Sequence, residues 1–243
     1  MSVIIESTGL GKNAVAAAQN CLQKTQLPIE DIGLLINTGV YREDNIVEPA
    51  ISAMIQKKLG LNLDYVKDNT GKSTFSFDLM NGACGVLNAI QVAMACLENS
   101  SVKKALIVCD NNNPRYARLG AAMLLGLSED PHKGFSQIHT RASMDGFYGL
   151  RGYTKLYQQD SRHQVNFEEE ANYESRLTAF IASCVKNIRT PDVTCIDTSY
   201  ENQDSHVAGP IVGYEAASDS QKQRPLLFVA GGAGLSVAWA LYR

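Results

Sequence analysis

Apolar residues recur every three or four positions in several stretches of the chain, which predicts helices over 13–24, 47–59, 84–97 and 167–187. Shorter apolar runs predict strands over 32–35, 74–79, 105–109, 121–127, 193–196, 225–230 and 235–241. The helix over 84–97 is apolar on most faces, so we expect it to be buried. Strands that alternate with helices of this length indicate crossover connections and an α/β fold with mixed, mostly parallel sheets.

The middle of the chain, from about 128 to 166, is polar and shows no clear period. We interpret it as an irregular insertion of loops and short strands. The order helix–strand–helix–strand–strand recurs weakly on either side of residue 127. The sequence therefore predicts an N-terminal half over 1–127 and a related C-terminal half over 128–243.

Composition and charge exclude several classes of protein. The 243 residues are 45% hydrophobic and 19% charged, with a formal net charge of −3, which argues against a nucleic-acid groove. No apolar run reaches membrane-helix length, and the first residues do not resemble a signal peptide. The six cysteines lack metal-ligand spacing, and no glycine-rich phosphate loop is found. We expect a cytoplasmic protein with neither metal nor cofactor.

The most informative stretch joins the strand over 74–79 to the buried helix over 84–97. It passes through a turn of small residues and places Cys84 at the start of the helix. Backbone N–H groups and the helix dipole at such a position stabilise a thiolate and lower the pKa of the thiol. Cys84 is therefore a candidate acyl-accepting nucleophile. The alternative is a small core residue at a tight contact between helix and strand.

A second stretch lies near the C-terminus, where two apolar runs flank Gly231, Gly232 and two further small residues. A glycine turn can offer backbone N–H groups to an oxyanion. It can also be no more than a tight hairpin.

Together these stretches resemble the thiolase superfamily, most closely β-ketoacyl-ACP synthase III. The segments over 27–39 and 103–110 resemble the strands that flank the active-site region in that family. The resemblance covers about 8–127 well and 172–243 more loosely. It implies αβαβα layers built from two related halves, and dimerisation across the nucleophile region.

The chain also departs from the family pattern. When Phe77, Asp78 and Gly85 are laid on their family counterparts, Ala83 takes the position of the nucleophile and Cys84 falls one residue late. One residue turns a helical side chain by roughly 100°, which would direct Cys84 into the core. We also expect the chain to be shortened at its start, without most of the family's opening strand.

The His and Asn of the family's active site have no clear counterparts. No histidine directly follows the strand over 193–196, and His206 is the nearest one. The segment over 213–218 resembles the family's Gly-Asn turn with Tyr214 in place of the Asn. His163, in a His-Gln-x-Asn motif, precedes the long helix, and we interpret that motif as coincidence.

Three functions follow from this pattern. The first is a degenerate ketosynthase-III-like subunit that pairs with a larger catalytic ketosynthase in fatty-acid-like, polyketide or other secondary-metabolite biosynthesis. The second is an active, homodimeric acyltransferase or condensing enzyme, with Cys84 as nucleophile and His206 as base, acting on acyl-CoA or acyl-carrier-protein thioesters. The third is a binding module without an acyl ligand.

Overall fold

The computed structural model describes residues 1–40, 48–63, 72–99, 102–111, 118–143, 150–153, 166–188, 192–198, 205–232 and 234–243. The strands in these ranges are β1 (Ser2–Gly11), β2 (Ile32–Asn37), β3 (Phe75–Asp78), β4 (Lys104–Asn111), β5 (Leu119–Ser128), β6 (Phe135–Ala142), β7 (Leu150–Tyr153), β8 (Asn166–Glu169), β9 (Thr194–Asp197), β10 (Leu226–Gly232) and β11 (Ser236–Tyr242). The helices are α1 (Ala14–Gln23), α2 (Ile51–Leu59), α3 (Gly85–Glu98), α4 (Tyr173–Val185), α5 (Gly209–Ala216) and α6 (Asp219–Lys222).

Nine of these strands form one mixed sheet in the order β3-β2-β4-β5-β1-β6-β11-β10-β9. Its two parts, β3 to β1 and β6 to β9, meet through a single residue pair, Val3 with Phe135. Among the described strands, parallel pairing is confined to β2 with β3 and β4, and to β9 with β10. Fewer of the strand pairs are parallel than the sequence predicted, because neighbours such as β4–β5 and β10–β11 pair in the antiparallel direction.

Helices cover both faces of the two sheet parts and also fill the space between them. α1 and α2 pack on the outer face of the first part, and α4 packs on the outer face of the second. α3 and α5 contact strands of both parts and form the middle layer. The result is the αβαβα layering that the sequence predicted.

The middle layer holds the largest apolar cluster. α3 contributes six buried residues to this cluster, because its sequence is apolar on most faces. Close helix–strand contacts depend on glycine at two positions. A Cβ on Gly9 would lie 2.4 Å from the Ala17 backbone oxygen, and one on Gly120 would lie 2.0 Å from the Asn13 carbonyl carbon. These glycines let α1 lie directly on β1 and β5.

Two predictions about the chain's organisation require correction. The opening strand is present, since β1 runs over Ser2–Gly11 and pairs with β5 along its length. The region 128–166 is not only irregular, because it contains β6, which pairs with β11 inside the large sheet. Periodicity alone did not reveal β6, because polar and apolar residues mix along it. The division into two halves at residue 127 stays a prediction.

No helix in the described parts of the chain is long and apolar enough to cross a membrane.

Candidate functional site

The amino ends of α3 and α5 lie at the same end of the middle layer. Gly85, the first residue of α3, packs against Thr38, which follows β2. Gly209, the first residue of α5, packs against Thr198, which follows β9. Ligands of open α/β sheets bind outside the carboxyl ends of parallel strands. This end of the molecule is therefore the candidate functional site.

The end of β3, which leads into the turn before α3, is held by hydrogen bonds to α2 and β2. The Asp78 carboxylate accepts from the backbone N–H groups of Ile51 and Ser52, at 3.0 and 2.8 Å, and so binds the start of α2. The Asn37 side chain also donates to Asp78, at 3.1 Å. Gly82 then has a φ of 50°, a left-handed conformation that glycine adopts without a steric penalty. These bonds fix the path of the chain up to Ala83.

Ala83 lies against the end of β10. It is 2% exposed, and a Cβ built on Gly232 would lie 3.4 Å from the Ala83 Cβ. Gly231 faces the other way, since its Cβ would lie 2.7 Å from the Ile181 Cδ1 of α4. Both glycines are the last residues of β10, paired with Val237 and Ser236, and not turn residues as the sequence suggested. Of the two, Gly232 adjoins the position where the family resemblance places the nucleophile.

Cys84 does not face this position. Its side chain is fully buried, and its thiol donates to the Ala230 carbonyl oxygen at 3.5 Å. Burial raises the pKa of Cys84 from 9.0 to about 12. This contradicts the lowered pKa expected at a helix start, because the loss of hydration outweighs the stabilisation that backbone dipoles give to a thiolate. The geometry matches the alternative interpretation of Cys84 as a core residue.

His206 lies at the start of the middle-layer helix α5. It belongs to a 3₁₀ turn over 205–208 and has a φ of 35°, which is unusual for a non-glycine residue. The carbonyl oxygen of Ser205 accepts a 2.5 Å hydrogen bond from the Asn111 side chain at the end of β4. His206 and Ala83 therefore lie at the same end of the middle layer, while the Cys84 thiol is hydrogen-bonded to Ala230 of β10.

Tyr214 lies away from this end, inside α5. Its ring stacks near Phe228 at 6.3 Å and meets the edge of Tyr242 at 6.1 Å, and the Lys222 Nζ lies 4.8 Å from its centre. Burial raises the pKa of Tyr214 to about 12. The segment over 213–218 runs from the last residues of α5 to the N-cap of α6, so Tyr214 lies within a helix and not in a turn. Tyr214 consequently does not replace a site Asn, and that prediction is corrected.

The two other histidines that the structure describes lie in β6 and in the turn before it. His139 is exposed and stacks on Trp239 at 5.1 Å, and His132 is exposed in a turn. His163 lies outside the residues that the structure describes.

A chain of hydrogen-bonded polar side chains leads away from the turn before α3, and the sequence analysis did not predict it. Asn81 donates to the Asn88 side-chain oxygen at 2.8 Å, and Asn88 donates to the Thr140 hydroxyl at 2.5 Å. Asn111 was missed as well. Asn88 carried a detectable signal, because it is a polar residue inside a mostly apolar helix.

Comparisons with known proteins agree with this architecture. No protein-family profile matches the chain. The fold is similar to the priming β-ketosynthase of the R1128 polyketide pathway, with a TM-score of 0.75 at 13% identity over 99% of this chain and 96% of that one. It is similar to Xanthomonas campestris OleA with bound lauric acid and lauroyl-CoA, with a TM-score of 0.73 at 16% identity over 96% of this chain and 82% of that one.

The chain has the thiolase-like fold. The resemblance to β-ketoacyl-ACP synthase III that the sequence indicated is thereby confirmed at the level of the fold.

A sequence match supports the same relationship. A segment of 95 residues is 33% identical to an acyl-CoA:acyl-CoA alkyltransferase of Xanthomonas campestris pv. campestris and covers 39% of this chain. The match spans only a quarter of the length of that relative. The thiolase-like neighbours include condensing enzymes, as the sequence resemblance led us to expect.

Proposed function

We propose that this chain is a ketosynthase-III-like subunit that binds an acyl thioester without forming an acyl-enzyme at Cys84. It pairs with a larger, catalytic ketosynthase-like chain in fatty-acid-like, polyketide or other secondary-metabolite biosynthesis. The observation that carries the proposal is the placement of Cys84, whose thiol is buried and bonded to Ala230.

A thiol in that environment is a poor nucleophile. The thiolate is the form that attacks a thioester, and a pKa of about 12 leaves roughly one thiol in 10⁵ ionised at pH 7. The side chain has no exposed surface at which an acyl donor could approach it. Ala83, at the position that adjoins Gly232, carries only a methyl group and cannot form a thioester.

The rest of the site is compatible with binding. Gly232 presents no side chain toward Ala83, and α3 begins directly after this contact. The amino end of a 14-residue helix favours a developing or partial negative charge, such as that on a carbonyl oxygen. His206 lies at the same end of the layer and supplies an imidazole N–H donor. These groups suit an acyl-CoA or acyl-carrier-protein thioester, which agrees with the lauroyl-CoA bound to the OleA neighbour.

We assign the surface for the catalytic partner to β3, the edge of the large sheet among the described strands. Phe75 is 66% exposed there and lies 5.3 Å from the Phe77 ring. Met80, just after the strand, is 48% exposed. An edge strand with exposed large apolar side chains is suited to pairing with another chain. We place the complex in the cytoplasm, where six free cysteines stay reduced.

The test is gentle affinity purification of the tagged chain from its source cell, followed by native mass spectrometry. The proposal predicts a one-to-one complex with a larger ketosynthase-like chain whose own cysteine carries the acyl group. A homodimer with an acyl group on Cys84 would contradict it and would support an acyltransferase or condensing enzyme.

A further inference from the structure

Asn111 connects the first sheet part to the turn that carries His206. It is the last residue of β4, is fully buried, and donates through Nδ2 to the Ser205 carbonyl oxygen at 2.5 Å. Its Oδ1 is also buried and accepts no hydrogen bond from the described residues. Buried amides usually satisfy both ends, and an unused acceptor is costly. Packing alone does not account for an amide at this position.

The turn that Asn111 holds is strained. His206 has a φ of 35°, and residues with a side chain adopt such values only where their surroundings enforce them. On one side, Asn111 fixes the preceding carbonyl group. On the other, Val207 and Ala208 are buried in the middle-layer core, and Gly209 packs against Thr198. The backbone of His206 is therefore held between two fixed points.

We propose that Asn111 is a positioning residue that fixes His206 at the acyl-thioester site. This inference rests on the proposed function, because it assigns the His206 imidazole to the bound thioester carbonyl. Asn111 acts through the backbone at Ser205 and does not itself contact the ligand. Loss of its N–H donor lets the turn relax toward ordinary φ values and moves the imidazole away from the ligand.

The experiment is a double-mutant cycle on lauroyl-CoA binding, measured by calorimetry. Asn111→Ala removes the donor, and His206→Gly removes the imidazole while tolerating the positive φ. Each change should weaken binding about tenfold, and the double variant should bind no more weakly than His206→Gly alone. Ser7→Ala is the matched control, because it removes another buried bond from a side chain to a backbone carbonyl, 3.0 Å from Ser7 Oγ to Cys21 O. It should bind like the wild type.

A second readout separates this inference from the proposed function. The ring NMR signals of His206, assigned with His206→Gly, should shift in Asn111→Ala and stay unchanged in Ser7→Ala. Asn111→Leu, which keeps a similar volume and carries no donor, replaces Asn111→Ala if that variant does not fold. Unchanged ring signals, or additive losses in the cycle, would overturn the inference. A wild-type chain that fails to bind lauroyl-CoA, with the ring shift still present, would overturn only the assignment of a thioester ligand.

Discussion

The Ala83 methyl group and Gly232 meet at the junction between α3 and β10. A Cβ on Gly232 would lie 3.4 Å from the Ala83 Cβ, an ordinary van der Waals distance, so the glycine, which has no Cβ, leaves space beside the Ala83 methyl group. Cys84, the next residue along, is instead directed at the Ala230 carbonyl oxygen. Two adjacent residues thus have different surroundings: Ala83 lies at the candidate site, and Cys84 is buried in the core.

Replacement of Ala83 by cysteine should restore a reactive thiol. The new Sγ would project from the turn toward Gly232, at the amino end of α3, where the helix dipole stabilises a thiolate. We expect Ala83→Cys to form a covalent adduct with lauroyl-CoA, detected by intact-protein mass spectrometry. The Ala83→Cys/Cys84→Ala double variant should form the same adduct.

Ala89→Cys is the matched control for this experiment. Ala89 is a fully buried alanine on the same helix, away from the turn. It should give no adduct. Equal labelling of Ala83→Cys and Ala89→Cys would show that the turn does not make a thiol more reactive toward lauroyl-CoA than the helix interior does.

Buried thiols should make the fold sensitive to alkaline pH. Burial raises the pKa of Cys84 and that of Cys109 from 9.0 to about 12. Between these values the unfolded chain loses both protons while the folded chain keeps them. Stability is therefore fully present below about pH 9 and falls as the pH rises toward 12, by up to about 1.4 kcal/mol per pH unit for each thiol.

Urea unfolding at pH 8 and pH 10 checks this dependence. Cys84→Ala should show a smaller fall in the free energy of unfolding between the two values than the wild type. Cys195→Ala changes an exposed cysteine, so its free energy of unfolding should fall as steeply between the two pH values as that of the wild type. An identical slope in all three proteins would contradict the burial of Cys84.

Two glycines should differ sharply in their tolerance of a methyl group. A Cβ on Gly9 would lie 2.4 Å from both the Ala17 oxygen and the Cys21 nitrogen, which belong to the backbone of α1 and cannot move independently. Gly9→Ala should cost about 3 kcal/mol or more, at the upper end of overpacking effects. Gly232→Ala should cost under about 1 kcal/mol, because its nearest contact is an ordinary one. Thermal unfolding of both variants checks the order, and a more stable Gly9→Ala would refute the close approach of α1 to β1.

The edge strand β3 gives a prediction about pairing. Phe75→Asp places a charge where a large exposed ring would be buried against the partner, so we expect the complex to weaken at least tenfold. Leu63→Asp is the control, since Leu63 is 48% exposed but lies outside the strand. Native mass spectrometry of the complex measures both variants. Equal effects would place the pairing surface elsewhere.

Much of the fold could be predicted from the chain because its helices and parallel strands bury long apolar stretches. The run over 84–97 predicted α3 to within one residue of each end. β6 was missed, because its sequence, Phe-Ser-Gln-Ile-His-Thr-Arg-Ala, mixes polar and apolar residues and gives no clean alternation. β1 was not predicted either. One reason is that Glu6 and Ser7 interrupt its apolar residues, at the position of a bulge.

The candidate site could be predicted only in part. The register argument, which rests on residue counts along one continuous segment, placed Ala83 at the family's nucleophile position and stays a prediction, and its contact with Gly232 of β10 was not predicted. Local patterning misassigned Tyr214, since a small-residue match does not distinguish a turn from a helix end. Asn111 gave no local signal at all, because its role depends on Ser205, which lies 94 residues away along the chain.

The most direct test of the central claim is the mass of the native chain after incubation with lauroyl-CoA, followed by peptide mapping. We predict that the wild-type chain retains its unmodified mass at pH 7.5 while binding lauroyl-CoA noncovalently, and that Cys84→Ala behaves identically. An acyl group mapped to Cys84, lost in Cys84→Ala, would contradict the account and make this chain an acyl-accepting enzyme.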